Sequence, residues 1–143
     1  MKKIAIVNGV NLNFTGIRHP EIYGVRTLDD INKTIADYCK SKNIEPIFFQ
    51  SNSEGEIIDF LQKCRADKID GVIINAGAHT HTSYALYDCI SGISIPTVEV
   101  HMSNIHARDA FRDKSVIAPA CVGQICGFGA NSYLLAVDAF EKM

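Results

Sequence analysis

Residues 71–83 read Gly71-Val-Ile-Ile-Asn-Ala-Gly-Ala-His-Thr-His-Thr-Ser83. Branched apolar residues pass directly into an Asn, a Gly and two His residues, which is typical of a buried strand that ends in a polar loop. Thr82 or Ser83 can cap the helix that the next residues, 84–93, indicate. Ligands bind at the carboxyl ends of the strands in an open α/β sheet, so Asn75 and the two His residues are candidate site residues. The alternative is that Asn75 only turns the chain and that the His residues lie in solvent.

Strand and helix patterns alternate on both sides of this stretch. Thr27 and Asp30 have the spacing of a capping box at the start of a helix that runs to about residue 40. Gly127-Phe-Gly129 interrupts the pattern before a last helix from about residue 130 to residue 141. The predicted strands cover residues 3–7, 46–50, 69–75, 96–101 and about 116–118, with helices between them.

Strands that alternate with helices specify a parallel sheet, and right-handed crossovers place the helices on both of its faces. We therefore predict an α/β fold, namely a flavodoxin-like, doubly wound five-stranded parallel sheet with helices on both faces. The length of 143 residues suits a single domain that covers residues 1–143. The loops after the first, third and fourth strands would meet at one edge of the sheet, which is the predicted site.

Composition and charge narrow the class of protein. Apolar residues make up 47% of the chain and charged residues 21%, as in an average globular protein. The net charge of -2 gives no electrostatic reason to expect nucleic acid or an anionic membrane as a partner. The sequence contains no apolar run of about eighteen residues, and its first nine residues become polar too quickly for a signal peptide. We therefore expect a cytoplasmic protein.

The cysteines do not suggest a disulfide frame or a zinc site. They are odd in number, lack Cys-x-x-Cys spacing and fall mostly in apolar surroundings, which indicates reduced core thiols. The five are Cys39, Cys64, Cys89, Cys121 and Cys126.

The segment from Val10 to Gly24 has neither a helical nor a strand period. A connection of this length without regular structure is usually a functional lid, and we predict that it is one here. A phenol is a poor base at neutral pH, but a nearby guanidinium favours the phenolate, so Arg18 could make Tyr23 a base. Taken alone, a loop tyrosine such as Tyr23 is more often a half-buried packing residue.

The fourth predicted strand ends in His101, and Glu99 lies two positions earlier on the same strand face. A carboxylate beside an imidazole fixes its tautomer and raises its basicity, so the pair is a candidate acid/base. A lone His at a strand end is also often a structural residue. Arg108 and Arg112 follow at a spacing of four, which on a helix points both side chains one way. They form either a solvated basic face or a clamp for a carboxylate.

Metal and nucleotide sites receive less support from the sequence. His79, His81, Asp88 and His101 could be drawn as a zinc or manganese site, but their spacing matches known metal motifs only loosely. The same side chains could equally hydrogen-bond a polar ligand. The sequence lacks Gly-x-Gly-x-x-Gly after the first strand, Gly-Lys-Ser/Thr, and the Gly-x-Ser-x-Gly of the α/β-hydrolases.

Six ordered motifs give the sequence a specific resemblance. They are Asn8-Gly-Val-Asn-Leu-Asn13, Arg18-His-Pro-Glu-Ile-Tyr-Gly24, Gln50-Ser-Asn-Ser-Glu-Gly55, Asn75-Ala-Gly-Ala-His-Thr-His-Thr-Ser83, Glu99-Val-His-Met-Ser-Asn-Ile-His-Ala-Arg108 and Gly127-Phe-Gly-Ala-Asn-Ser-Tyr-Leu-Leu-Ala136. In order and spacing they resemble the type II 3-dehydroquinate dehydratases over essentially the whole chain. The resemblance implies a flavodoxin-like subunit that needs no cofactor and no metal. It also implies a homo-oligomer, a dodecamer arranged as a tetramer of trimers.

The reaction implied by the resemblance is the anti elimination of water from 3-dehydroquinate, through an enolate, to give 3-dehydroshikimate. This is a step of the shikimate pathway of aromatic amino acid biosynthesis, and quinate breakdown uses the same reaction. Tyr23 would remove the proton next to the ketone, with Arg18 lowering its pKa and stabilising the transition state. Asn11 would hold a water against the developing enolate oxygen. His101, oriented by Glu99, would protonate the departing hydroxyl.

The other roles implied by the resemblance concern substrate binding. The hydroxyls and the carboxylate of the substrate would be bound by Asn75, His81, Met102, Ser103 and Arg112. Asp88 would reach a site across a subunit interface.

Four positions depart from the family pattern, and none of them removes a catalytic group. They are Val10, His19, His79 and Tyr87, where Pro, Glu, Tyr and Arg are usual. The alternative function is a non-catalytic flavodoxin-like module that binds a cyclic polyol acid, and the joint presence of Tyr23, Arg18 and His101 argues against it.

Overall fold

The structure of the protein is a computed structural model that describes residues 1–17, 20–23 and 25–143, with the side chains of all of these except Ile22 and Tyr23. Arg18, His19 and Gly24 lie outside the described residues. Strands and helices alternate along the chain as predicted. The strands are β1 (Lys2–Asn8), β2 (Ile44–Gln50), β3 (Gly71–Asn75), β4 (Thr97–His101) and β5 (Gly123–Cys126), and the helices are α1 (Pro20–Tyr23), α2 (Leu28–Ser41), α3 (Glu54–Ala66), α4 (Tyr84–Ile93) and α5 (Asn131–Glu141).

The five strands form one parallel sheet in the order β2-β1-β3-β4-β5. This is the flavodoxin-like strand order, so the predicted fold is confirmed. Strand β3 lies at the centre and is buried at all five residues. Asn8 at the end of β1 lies opposite Asn75 at the end of β3, and the neighbouring strand β4 ends at His101. Three polar side chains therefore meet at the carboxyl edge of the sheet.

Two hydrophobic layers enclose the sheet because successive residues of a strand point to opposite faces. Ile4 and Ile73 pack on one face with α2 and α5. Ala5 and Ile74 pack on the other face with α3 and α4. The central strands carry continuous apolar runs because both of their faces are covered.

Side-chain caps fix the starts of three helices. The Thr27 hydroxyl accepts a hydrogen bond from the Asp30 N–H, and the Asp30 carboxylate accepts one from the Thr27 N–H, which confirms the predicted capping box of α2. The Ser53 hydroxyl caps α3. Of the two candidates at α4, Ser83 is the cap, and its hydroxyl accepts from the Leu86 N–H at 2.9 Å.

The predicted fifth strand at residues 116–118 is wrong. The Val116 N–H donates to the Thr80 carbonyl, and the segment runs into a 3-10 turn, Ala118–Ala120, that contains a proline. Its apolar character arises because Ile117 is fully buried in the core. The true strand, β5, lies at the sheet edge with Gln124 exposed, so it lacks the apolar run of a central strand.

The segment from Val10 to Gly24 has more regular structure than its sequence indicates. Leu12–Phe14 form a 3-10 turn, and Pro20–Tyr23 form a short helix with proline at its first position, where the missing N–H is tolerated. The Thr15 hydroxyl donates to the Leu12 carbonyl at 2.6 Å and fixes the end of the 3-10 turn. The lid function of the segment stays a prediction.

The five cysteines are free thiols, of which Cys39 and Cys64 are buried and the other three are partly buried. Burial raises the pKa of Cys39 to about 11 and the pKa of Cys121, with a smaller effect from the charge of Glu99, to about 12. Among the described residues, no helix is long and apolar enough to cross a membrane.

Gly71 at the start of β3 leaves no room for a side chain. A Cβ at this position would lie 2.4 Å from Cε1 of Phe140 and 2.9 Å from Cδ1 of Ile4. We expect Gly71→Ala to lower the free energy of unfolding by about 1–3 kcal/mol through overpacking. Gly92 in α4 has nothing within 4 Å of such a Cβ, so Gly92→Ala is the matched control and should stabilise by about 0.5–1 kcal/mol. Urea unfolding of both variants is the measurement, and equal effects would contradict the packing argument.

Candidate active site

A cavity of about 310 Å³ opens at the carboxyl edge of the sheet. It lies where β1, β3 and β4 end, which is the edge that the sequence predicts. The predicted site residues that line it are Asn11, Asn75, His81, His101, Met102, Ser103 and Arg112, and Arg108 lines it as well.

The acid/base candidates Glu99 and His101 form a buried pair on one face of β4. Nε2 of His101 lies 2.5 Å from Oε2 of Glu99. Glu99 is fully buried, while His101 is 5% exposed and lines the cavity. Because Nε2 faces the carboxylate, Nδ1 is the ring nitrogen that remains for a ligand. The carboxylate thus orients the imidazole from behind.

The Glu99 carboxylate has two further hydrogen-bond donors that the sequence did not reveal. The Ser115 hydroxyl donates to Oε1 at 2.8 Å, and the Gln124 amide donates to Oε2 at 2.9 Å. Burial raises the pKa of the Glu99 carboxyl, but the hydrogen bond and charge of His101 and the hydrogen bonds from Gln124 and Ser115 together hold it below its ordinary value. Glu99 is therefore ionised in the folded protein at neutral pH.

Asn75 is held in one orientation by a buried network. Its Nδ2 donates to the Tyr133 hydroxyl at 3.0 Å, and its Oδ1 accepts from the Gly77 N–H at 3.2 Å. The Tyr133 hydroxyl in turn donates to Oδ1 of Asn8 at 2.5 Å. Burial raises the pKa of Tyr133 far above its ordinary value, so the phenol stays neutral. One N–H of the Asn75 amide remains for the cavity.

Tyr133 and Asn8 belong to the site although sequence reasoning assigned them no role there. Tyr133 looked like an ordinary apolar position of the last helix, and Asn8 looked like a turn residue. Both stand in motifs that carry the family resemblance, and this was the only signal for them in the sequence.

His81 lines the cavity and is fixed by the backbone of a neighbouring loop. Its Nδ1 lies 2.8 Å from the Lys114 carbonyl, so Nδ1 carries a proton and Nε2 faces the remaining space. The ring also packs edge-on against Phe111, with ring centroids 6.4 Å apart. His79, by contrast, does not line the cavity.

The two arginines line the cavity without sharing one helix. Arg108 follows the 3-10 turn Ile105–Ala107 and has extended backbone, and Arg112 ends a second 3-10 turn. The helical spacing considered for them is therefore wrong. Arg112 donates to Asp109 at 3.2 Å, and Arg108 donates to the Ser103 hydroxyl at 3.4 Å. Two positive charges still face the same space as His101.

Asn11 occupies the left-handed backbone region, with φ of 67°, which Asn tolerates better than most residues. Its N–H donates to Oδ1 of Asn52 at 2.9 Å. This anchor leaves the Asn11 side chain at the cavity wall.

Four predicted site residues are not among the residues that line this cavity, and one of them, Glu99, lies buried behind His101. Arg18 and the side chain of Tyr23 lie outside the described residues. Asp88 lies on α4 and lines a separate groove between α3 and α4, away from the cavity of its own chain. Within residues 1–17, 20–23 and 25–143, no three His, Cys, Asp or Glu side chains converge in a way that could hold a metal ion.

The cavity can bind a small polar anion and move a proton. The guanidiniums suit a carboxylate, the amide of Asn75 and the ring of His81 suit hydroxyls, and His101 can donate a proton to a leaving oxygen.

The known proteins to which this chain is similar agree with one another in their family. The model of the family Dehydroquinase class II matches residues 2–141. The 3-dehydroquinate dehydratase of Clostridium beijerinckii is 55% identical over 139 residues, which is 97% of this chain and 95% of that protein. That of Caldicellulosiruptor bescii is 52% identical over 143 residues, 100% of this chain and 99% of the relative. The crystal structure of type II dehydroquinase from Butyrivibrio crossotus has a TM-score of 0.96 at 46% identity and covers 99% of this chain and 98% of its own.

We expect Tyr133→Phe to destabilise the protein, because it leaves Nδ2 of Asn75 and Oδ1 of Asn8 buried without their partner. The expected loss is about 1–3 kcal/mol in the free energy of unfolding. The control is Tyr38→Phe, which removes a hydroxyl that donates to Asp138 at 2.7 Å at a partly buried position. Chemical unfolding of the two variants is the measurement. A larger loss for Tyr38→Phe would contradict the buried network.

Proposed function

The chain belongs to the class II dehydroquinase family. We propose that the cavity at the carboxyl edge of the sheet is its active site and that each residue of the site has a separate role in catalysis or substrate binding. The reaction is that of the family, the dehydration of 3-dehydroquinate. It is a hydro-lyase reaction of the shikimate pathway and serves aromatic amino acid biosynthesis.

The elimination needs a base, a place for negative charge and an acid. The base removes a proton from the carbon next to the ketone, and the electron pair of that C–H bond forms the enolate. The enolate then expels the hydroxyl on the adjacent carbon, which leaves as water after it takes a proton from the acid. The product is 3-dehydroshikimate, and the overall elimination is anti.

The buried Glu99–His101 pair is the single observation that carries this assignment. His101 is the acid, and Nδ1 delivers the proton to the departing hydroxyl while Nε2 stays bound to Glu99. An ionised carboxylate favours the protonated imidazole that an acid requires. The arrangement supports the assignment of His101 as an acid at the cavity wall, with the negative charge of Glu99 behind it.

Tyr23 is the base, and Arg18 favours its phenolate. The motif Arg18–Gly24, which carries part of the family resemblance, supports Tyr23 as the base. Among the described cavity residues, Arg108 and Arg112 carry guanidinium groups that cannot accept a proton, and His101 is already the acid. Nε2 of His81 faces the cavity and binds a substrate hydroxyl. Tyr23 stands at the end of α1, nine residues after the 3-10 turn Leu12–Phe14 that borders the cavity.

The remaining cavity residues bind the substrate and the developing charge. Asn11 holds a water that hydrogen-bonds the enolate oxygen, which acts as a preorganised oxyanion site. Arg112 holds the carboxylate. Asn75, His81, Met102 and Ser103 bind the hydroxyls.

The protein acts as a dodecamer, a tetramer of trimers, in which Asp88 of one chain completes the site of a neighbour. The position of Asp88 on an exposed stretch of α4, outside the cavity of its own chain, supports this arrangement.

We expect Tyr23→Phe to lower kcat by about 10²–10⁴-fold, the range for loss of a general base, while binding of the product 3-dehydroshikimate is retained. The formation of the enone chromophore measures turnover, and calorimetry measures binding. Tyr38→Phe is the matched control and should keep full turnover, because its hydroxyl contacts Asp138 away from the cavity. Turnover close to that of the unchanged protein would remove Tyr23 as the base.

For the unchanged protein we expect equal turnover with and without a chelator. Loss of turnover with chelator would favour a metal enzyme.

Asp88→Asn tests the shared site. We expect kcat/KM of the variant to fall by about tenfold, because one charged hydrogen bond is lost. For the unchanged protein, we expect sedimentation to give a particle of about twelve chains. Asp59→Asn, a change at another exposed acid of the neighbouring helix α3, is the control. A monomer with full activity would contradict the proposal.

A further inference from the structure

The Glu99 carboxylate is held by donors from three different parts of the fold. His101 contacts it from its own strand, Gln124 from the neighbouring strand β5, and Ser115 from the loop before β5. Oε1 accepts from Ser115, and Oε2 accepts from both His101 and Gln124. With both oxygens occupied, the carboxylate cannot rotate without breaking a hydrogen bond. Two of the three residues that set its plane, Ser115 and Gln124, do not line the cavity.

A carboxylate without solvent contact is ionised only if donors replace water. Glu99 is 0% exposed, and two of its three donors are the neutral groups of Ser115 and Gln124. Without these two donors, the pKa of the Glu99 carboxyl would be higher, so the proton of the pair would shift from the imidazole toward the carboxyl. A smaller share of the pair would then carry its proton on His101, where the reaction needs it.

We propose that Ser115 and Gln124 are positioning residues for the acid: they hold Glu99 ionised and aligned, so that the proton of the pair stays on His101. The proposal rests on the proposed role of His101 as the acid that protonates the departing hydroxyl.

The register of the sheet supports Gln124 in this role. Glu99 and Gln124 are direct partners in the β4–β5 pairing, so their side chains leave the sheet on the same face. Gln124 is exposed as a whole while its amide reaches the buried carboxylate. A change at Gln124 therefore removes a donor and takes little from the hydrophobic core.

Ser115 has a second contact, because its hydroxyl also accepts from the Ala118 N–H at 3.0 Å. Loss of the hydroxyl thus affects the loop as well as Glu99. Ser115→Thr keeps a hydroxyl at the same atom position and separates the two effects, since it should restore what Ser115→Ala removes.

Other titratable groups lie near this pair. Burial, with a smaller effect from Glu99, raises the pKa of the Cys126 thiol to about 11 and that of Cys121 to about 12, so both stay neutral. Arg108 and Arg112 stay positive on the cavity side. His81 is the second imidazole at the cavity, and its Nδ1 is bound to the Lys114 carbonyl.

The experiment compares Gln124→Met, Ser115→Ala and the double variant with the unchanged protein. Gln124→Met keeps the length of the side chain and removes the donor. In each single variant we expect kcat at neutral pH to fall by about three- to tenfold, the partition change that corresponds to a rise of about 0.5–1 unit in the pKa of the carboxyl, with KM nearly unchanged. NMR of ring-labelled histidine at the same pH should show a smaller imidazolium share at His101.

The controls distinguish positioning from general damage. Val122→Ala, a change at an exposed side chain beside β5, should leave kcat and the imidazolium share of His101 unchanged. Ser115→Thr should restore both. The His81 resonance in the same spectra is an internal reference and should not move. If Gln124→Met does not fold, Gln124→Asn, whose amide is one methylene short of Glu99, replaces it.

The outcomes separate this inference from the assignment of the acid. An unchanged or larger imidazolium share at His101 in the folded variants would overturn the inference, and so would an effect on KM alone. A smaller imidazolium share with an unchanged kcat would support the positioning of His101 while it removes His101 as the acid.

Discussion

Strand β3 lies at the centre of the sheet with a helical layer on each face, so none of its side chains reaches water before the strand ends. Gly71 passes directly beneath Phe140, and the next three residues are apolar. Asn75 is the first polar side chain, and a buried amide requires internal partners. Tyr133 of α5 and the backbone of Gly77 supply them. The central strand, the last helix and the loop after β3 are thereby joined at one point, and this point forms the floor of the cavity.

The same requirement for internal hydrogen-bond partners explains the electrostatics of strand β4. Glu99 is an ionised group in a place without water, and the sheet edge and the loop before it provide the neutral donors that replace solvent. The cavity therefore brings charges of both signs together. The negative charge of Glu99 lies behind His101, and Arg108 and Arg112 line the same cavity of about 310 Å³.

The sequence was most informative where a residue's local role and its role in the fold agree. The capping pair Thr27 and Asp30, the apolar strands and the alternation of elements predicted the fold and the edge of the sheet at which the cavity opens. The prediction failed at β5, because an edge strand does not need an apolar run, while the buried Ile117 mimicked one. The partners of Glu99 could not be found for the same reason, since Gln124 is recognised only once β5 pairs with β4.

The buried thiols have a consequence for the chemical durability of the protein. Thiolate, and not thiol, reacts with peroxides and alkylating agents. Burial raises the pKa values of Cys39, Cys64 and Cys126 to about 11 and that of Cys121 to about 12, with a minor effect from neighbouring charges, and it also raises the pKa of Cys89. At neutral pH each of these side chains carries less thiolate than a cysteine in water. We therefore expect the five thiols of the folded protein to react more slowly with such reagents than a cysteine in water does.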